Sequence, residues 1–168
     1  GGFEIYLDDG TRGDELWETL WNAGHDLEVS PGCPNLIERI EGGLLSYGNE
    51  MTRENNPLEI NLDRFCHFGN EIEFIGQSAL ADIAALGPLQ RMRGLLIEGD
   101  SCPPWGKPWP VVCDGVQIGQ VTSAIWSPGL KQNVGLSLID KNFWSPDVQV
   151  QVALPDGSIR EAVVTPLP

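Results

Sequence analysis

Two turn signals, Asp114-Gly115 and Pro155-Asp156-Gly157, constrain the fold of this chain more than any other feature. Val111-Val112-Cys113 precedes the first and Val116-Gln117-Ile118 follows it. Asp-Gly between two short β-forming runs is a strong hairpin signal, because both turn residues must reach positive φ. Val148-Gln149-Val150-Gln151-Val152 alternates strictly and runs on to Leu154; the second turn then leads into Ile159 to Val164, a second hairpin. Leu95-Leu96-Ile97 reads as a further strand, closed by a turn at Glu98-Gly99. Short strands separated by regular turns predict a small antiparallel barrel or sandwich. This grammar begins after Pro88, so a domain boundary is expected there, with domains 1–88 and 89–168.

Before Pro88 the apolar spacing is mostly helical. Phe3, Ile5 and Leu7 alternate with Glu4 and Tyr6 as on a half-buried strand, and Asp8-Asp9-Gly10 turns the chain. A helix is predicted from Asp14 to Ala23, capped by Asp14, striped by Leu16, Trp17, Leu20 and Trp21, and ended by Gly24. A second starts at Pro34, carries Leu36, Ile37, Ile40 and Leu44 on one face, and stops at Gly48-Asn49. Glu50 to Asn56 reads as a polar loop, and Leu58 to Phe68 as strand or turn. Ser78 is the expected cap of a third helix, with Leu80, Ile83, Ala84 and Leu86 as its stripe and Gly87-Pro88 as its stop. The fold class is therefore α+β.

Composition narrows the function classes. The net charge of −14 argues against nucleic acid and against an anionic membrane surface, both of which require clustered Lys and Arg. No apolar run approaches the ~20 residues that span a bilayer. Cys33, Cys66, Cys102 and Cys113 are scattered without a C-x-x-C, and His25 and His67 complete no zinc pattern, so no metal is expected. Buried or incidental thiols in a reducing compartment, the cytoplasm, fit this pattern best. Phosphate-binding glycine loops, G-x-S-x-G and H-E-x-x-H are all absent. The chain does not begin with Met and opens inside an expected strand, which suggests a fragment or processed product.

Arg39-Ile-Glu-Gly-Gly-Leu-Leu-Ser-Tyr-Gly48 resembles the segment LRxEAGxxLYG of the folate-dependent aminomethyltransferase family, the glycine cleavage T-protein and its relatives. Gly2-Phe-Glu-Ile5 resembles the family's GxEI strand, Asn56-Pro57-Leu58 its NPxE turn, and Phe74-Ile75-Gly76-Gln77-Ser78-Ala79-Leu80 its FIGKEAL segment. Gly119-Gln-Val-Thr-Ser-Ala-Ile-Trp-Ser-Pro128 resembles GxVTSGxxSP of its C-terminal barrel. The preceding Pro31-Gly-Cys-Pro-Asn35 is most similar to one branch, the dimethylsulfoniopropionate demethylases.

The resemblance implies part of a folate-binding α/β domain followed by a small antiparallel β-barrel, with tetrahydrofolate as cofactor. It places Glu4 where a carboxylate holds the pterin ring, a planar bidentate match. Tyr6 shares a face with Glu4 and either stacks on the ligand, offers its hydroxyl, or is a half-buried ring at a sheet surface. Asn35 falls where the aminomethyltransferases carry a folate-binding Arg, and Asn cannot supply a charged bidentate fork. That departure favours transfer of a methyl group from a small-molecule sulfonium to N5 of tetrahydrofolate over amine transfer from a lipoyl carrier protein. A non-catalytic folate-binding module is the further alternative. No catalytic residue is assigned, and the expected partner is the N-terminal half of such an enzyme. Arg39 and Glu41 read as a structural pair or surface groups as readily as ligand contacts. Trp105, Trp109, Trp126 and Trp144 would suit a sulfonium cage, although barrel packing is the simpler reading. Lys131 reads as a solvated loop residue in preference to a contact for an acidic folate tail.

Overall fold

Residues 5–29, 35–68 and 72–167 are described by the computed structural model. The expected hairpins form, and they belong to a closed barrel of six antiparallel strands: β1 (Gln90–Ile97), β2 (Trp109–Cys113), β3 (Val116–Ser127), β4 (Gln132–Asp140), β5 (Gln149–Ala153) and β6 (Ile159–Thr165). Neighbours run β1-β4-β3-β2-β5-β6, and β6 closes on β1 through Leu95↔Val164. Closure leaves no strand edge open to stray pairing. Asp114 (φ 49°) and Gly115 (φ 78°) both take the left-handed conformation that the tight β2–β3 turn demands. Register shifts at Val111/Val112 and Val121/Ser123 bend the long strands around the barrel.

β1 begins earlier than its apolar run suggests, because Arg91 and Arg93 interrupt the alternation and still pair with Ile139 and Ser137 of β4. Side chains on the two faces of β1 enter different cores. Leu95 and Ile97 point into the barrel with Trp109, Val111, Ile118, Val121 and Val152. Met92 points outward and packs with Ile40, Ile60, Val134, Leu136 and Leu138. Residues 36–62 cover this outer cluster.

That covering segment contains helix α2, which is shorter than its apolar spacing predicts: Leu36–Glu41. Gly42-Gly43 ends it. Gly43 takes φ 62°, the Leu44 amide donates to the Arg39 carbonyl at 2.8 Å, and the Gly43 amide donates to Ile40 at 3.1 Å. This pair of bonds is a Schellman closure, and the glycine supplies its left-handed residue. Residues 57–61 form turns, and Asp63–Phe65 a 3-10 turn. Helix α3 spans Gln77–Leu86. Gly76 (φ 89°) stands at its N-cap in place of the expected Ser78, which lies inside the first turn.

The chain divides into two compact units, Gly1–Pro34 and Asn35–Pro168. In the first, helix α1 covers Gly13–Gly24 and follows a 3-10 turn at Gly10–Arg12. Asp9, not Asp14, caps this start: its Oδ1 accepts from the Thr11 amide at 3.0 Å. Asp14 and Glu15 lie in the first turn, where negative charge meets the positive end of the helix dipole. α1 ends at Gly24 as expected, and a 3-10 turn then continues to Leu27, where Glu28 (φ 54°) closes it. Of the expected first strand, Phe3 and Glu4 lie outside the described residues. Ile5, Tyr6 and Leu7 are exposed and belong to no strand.

Among the described residues no helix is long and apolar enough to cross a membrane.

Candidate functional site

Asn35 begins the second unit as the N-cap of α2. It holds an extended conformation, and its Oδ1 accepts from the Glu38 amide at 2.8 Å. Its carbonyl oxygen thus serves the helix, leaving the Nδ2 amide protons for other partners. This cap also explains why α2 starts at Leu36.

One turn further on, Arg39 turns inward. Its Nη1 donates to Glu50 Oε2 at 2.8 Å and to the Leu44 carbonyl at 3.0 Å, and its Nη2 donates to Ser123 Oγ at 2.8 Å. Ser123 in turn donates to Glu50 Oε1. The Ser46 amide donates to Glu50 Oε2 at 2.7 Å. Glu50 is fully buried, yet both its oxygens are satisfied. A buried carboxylate is tolerable only with such pairing. Glu50 lies in a loop as expected, but it is buried there and anchors α2 and the 44–51 segment to β3.

Glu41 makes a parallel link, accepting from Ser127 Oγ, which also accepts from the Leu130 amide at 3.0 Å. Arg39 and Glu41 thus do not pair with each other. Each binds a serine of β3 instead, and both serines lie in the Gly119–Pro128 motif. Sequence reasoning missed Glu50, Ser123 and Ser127, although two of the motifs it quoted hold both ends of the Arg39–Ser123 and Glu41–Ser127 links; Glu50 lies just beyond the first motif.

Glu4 lies outside the described residues. Tyr6 belongs to the first unit and exposes 85% of its surface, so it does not sit half-buried on a sheet. Asn35 is exposed at the start of the second.

The tryptophans divide by environment. Trp109 is buried inside the barrel, and Trp105 and Trp144 pack against the same core. The guanidinium carbons of Arg91 and Arg93 lie 5.6 and 5.8 Å from the Trp144 ring centre. The protein's own cations already occupy the cation-binding face of that ring, which removes it from a sulfonium cage. Lys131 is an exposed turn residue with φ 53°. Cys66, Cys102 and Cys113 are free, and burial raises the pKa of the Cys102 thiol. No group of three or more His, Cys, Asp or Glu side chains gathers as a metal site among the described residues.

Comparison with known proteins agrees with this architecture. Residues 1–70 match the GCVT N-terminal domain, and residues 90–168 match the glycine cleavage T-protein C-terminal barrel domain. The chain is 48% identical over 157 residues to dimethylsulfoniopropionate demethylase DmdA of Ruegeria pomeroyi, covering 94% of this chain and 42% of that protein. It is 34% identical over 166 residues to an aminomethyltransferase of Caldanaerobacter subterraneus subsp. tengcongensis, covering 97% of this chain and 43% of that protein. The chain therefore spans less than half the length of these relatives. The crystal structure of glycine cleavage system aminomethyltransferase T from Bartonella henselae shares the fold, with a TM-score of 0.69 and 24% identity over 77% of this chain and 36% of that one. With both domain models matched in order and the barrel formed, the chain belongs to the glycine cleavage T-protein family.

Proposed function

We propose that these residues are part of a tetrahydrofolate-dependent methyltransferase that moves a methyl group from the sulfonium of dimethylsulfoniopropionate to N5 of tetrahydrofolate. The observation that carries this reading is the 48% identity to the demethylase, against 34% to the aminomethyltransferase, over nearly the same span. Asn35 supports it: a neutral helix cap stands at the entrance of α2 where amine transfer would use an arginine.

The residues on hand suit a folate in their chemistry. Tyr6 offers an exposed aromatic face, and Asn35 keeps amide donors that its capping role does not use. Glu4 would add a carboxylate for the pterin. When bound, tetrahydrofolate supplies the nucleophilic nitrogen. A sulfonium is already a good leaving group, so the task left to the protein is orientation of nitrogen, methyl carbon and sulfur in line, with little acid–base work. Arg39, Glu50 and Ser123 serve that task indirectly by fixing α2, and with it Asn35, to the barrel.

The enzyme in this reading is a longer chain, since its relatives are more than twice this length. The division into 1–88 and 89–168 then separates the end of a folate-binding domain from the barrel. Supplying tetrahydrofolate with dimethylsulfoniopropionate to the longer enzyme is expected to yield 5-methyltetrahydrofolate. Ammonia release from an aminomethyl-lipoyl protein, with no reaction on the sulfonium, would overturn the reading. The 168 residues alone are expected to show little turnover, and full activity from them would refute the need for the longer chain.

A further inference from the structure

Arg91 and Arg93 sit two residues apart on β1, on the face that Leu95 and Ile97 turn into the barrel. The interior below them is apolar: Arg93 pairs across to Ser137, Ser137 to Val121, and Val121 to Trp109, which is buried. The two guanidiniums therefore occupy the end of the barrel where β1 begins, beside the Trp144 ring.

Among the described residues neither has a carboxylate partner: the ion pairs there are Arg12 with Glu15 and Arg39 with Glu50. Arg93 is partly satisfied, donating from Nε to the Trp144 carbonyl at 2.7 Å and from Nη1 to the Met92 carbonyl at 2.9 Å. Arg91 Nε is buried without a partner. Burial, and next the Arg91 charge, hold the Arg93 guanidinium below its usual pKa range. In a chain with 24 acidic and 10 basic residues, these two neighbouring arginines thus have no anion among the described residues. A guanidinium lying against an aromatic ring still presents in-plane N–H donors at its edge, the geometry that matches a carboxylate.

We propose that Arg91 and Arg93 form a binding site for a carboxylate-bearing small molecule at this end of the barrel, beside Trp144. A monoanion on an apolar stem fits better than a phosphate dianion. The ring offers apolar contact, and the net charge of −14 repels a dianion more strongly than a monoanion. The site is independent of the methyl-transfer reading, which uses neither arginine.

Titration of the 168-residue chain with sodium propionate, against sodium chloride at matched ionic strength, tests it. The readouts are the Arg91 and Arg93 Nε–H resonances and tryptophan fluorescence. Saturable shifts at both arginines are expected with propionate and not with chloride. Arg91→Gln is expected to weaken binding about tenfold, the loss of one charge-assisted contact, and Arg91→Lys to weaken it less. Among the described residues the Arg91 side chain makes no hydrogen bond, while its backbone stays paired with β4, so these variants are expected to keep the fold; should one unfold, the wild-type resonances decide alone. Absence of saturation, an equal response to chloride, or unchanged binding by a folded Arg91→Gln overturns the proposal. Tighter binding of inorganic phosphate than of propionate overturns the carboxylate assignment.

Discussion

Ser123 Oγ donates to the buried Glu50 carboxylate and accepts from Arg39 Nη2, so one serine of the barrel completes an ion pair formed by the segment before it. Ser123 is 84 residues from Arg39 in sequence and 73 from Glu50. The pair itself is close, at 2.8 Å, and almost free of solvent, with 18% exposure for the Arg39 side chain and none for Glu50.

Glu50→Gln is expected to destabilise the Asn35–Pro168 unit by about 3–5 kcal/mol, because it strands the Arg39 charge in a desolvated site. Ser123→Ala should cost less by itself. A double-mutant cycle followed by urea unfolding should show coupling between the two sites, and strict additivity would mean that the serine bridge contributes nothing.

Asn35 carries two separable roles. Asn35→Ala removes the acceptor for the Glu38 amide and should cost about 1 kcal/mol, whereas Asn35→Asp keeps the cap. If the Nδ2 amide also contacts the folate, both variants weaken tetrahydrofolate binding in the longer enzyme. Calorimetry set beside thermal melts separates the roles, since only the alanine variant should lose stability.

Gly119 lets β3 approach β4 closely. A Cβ there would fall on the Leu138 carbonyl oxygen and crowd Ile139. Both obstacles include backbone, which cannot swing aside, so Gly119→Ala should cost about 1–3 kcal/mol as an overpacked site. Faster amide exchange confined to the β3–β4 ladder would locate the damage, and an unchanged melting temperature would contradict it.

Acid should loosen the β5–β6 turn late. Hydrogen bonds from the Ser158 side chain and then its amide lower the Asp156 pKa. A carboxyl whose folded pKa is depressed contributes stability that is present above its unfolded pKa and lost as pH falls through the folded value. The Asp156 carboxyl resonance should therefore titrate below the usual aspartate range in the folded protein. Ser158→Ala should move it back up, and an unmoved midpoint would refute the assignment.

Local chemistry made much of the architecture readable. Asp114-Gly115 and Pro155-Asp156-Gly157 set their hairpins because turn geometry depends on two or three adjacent residues. Gly87 ended α3 for the same kind of reason, its φ of 78° being open chiefly to glycine. The limits of that reading show at α2, where four apolar residues at helical spacing suggested a longer helix than Gly42-Gly43 permits. They show again at β1, where the arginines hid the first residues of a strand legible only from Leu95 on; pairing with β4 reveals its start at Gln90.

Sequence by itself determined the turns, the stops of α1 and α3, the α+β class and, through motif resemblance, the family. Tertiary structure decided that the barrel closes, that Glu50 is buried, and that Arg39 and Glu41 each face a serine of β3. The physical reason is range. Turn and cap preferences act over a few bonds, whereas the cost of burying a charge is met only by partners that folding brings from far along the chain.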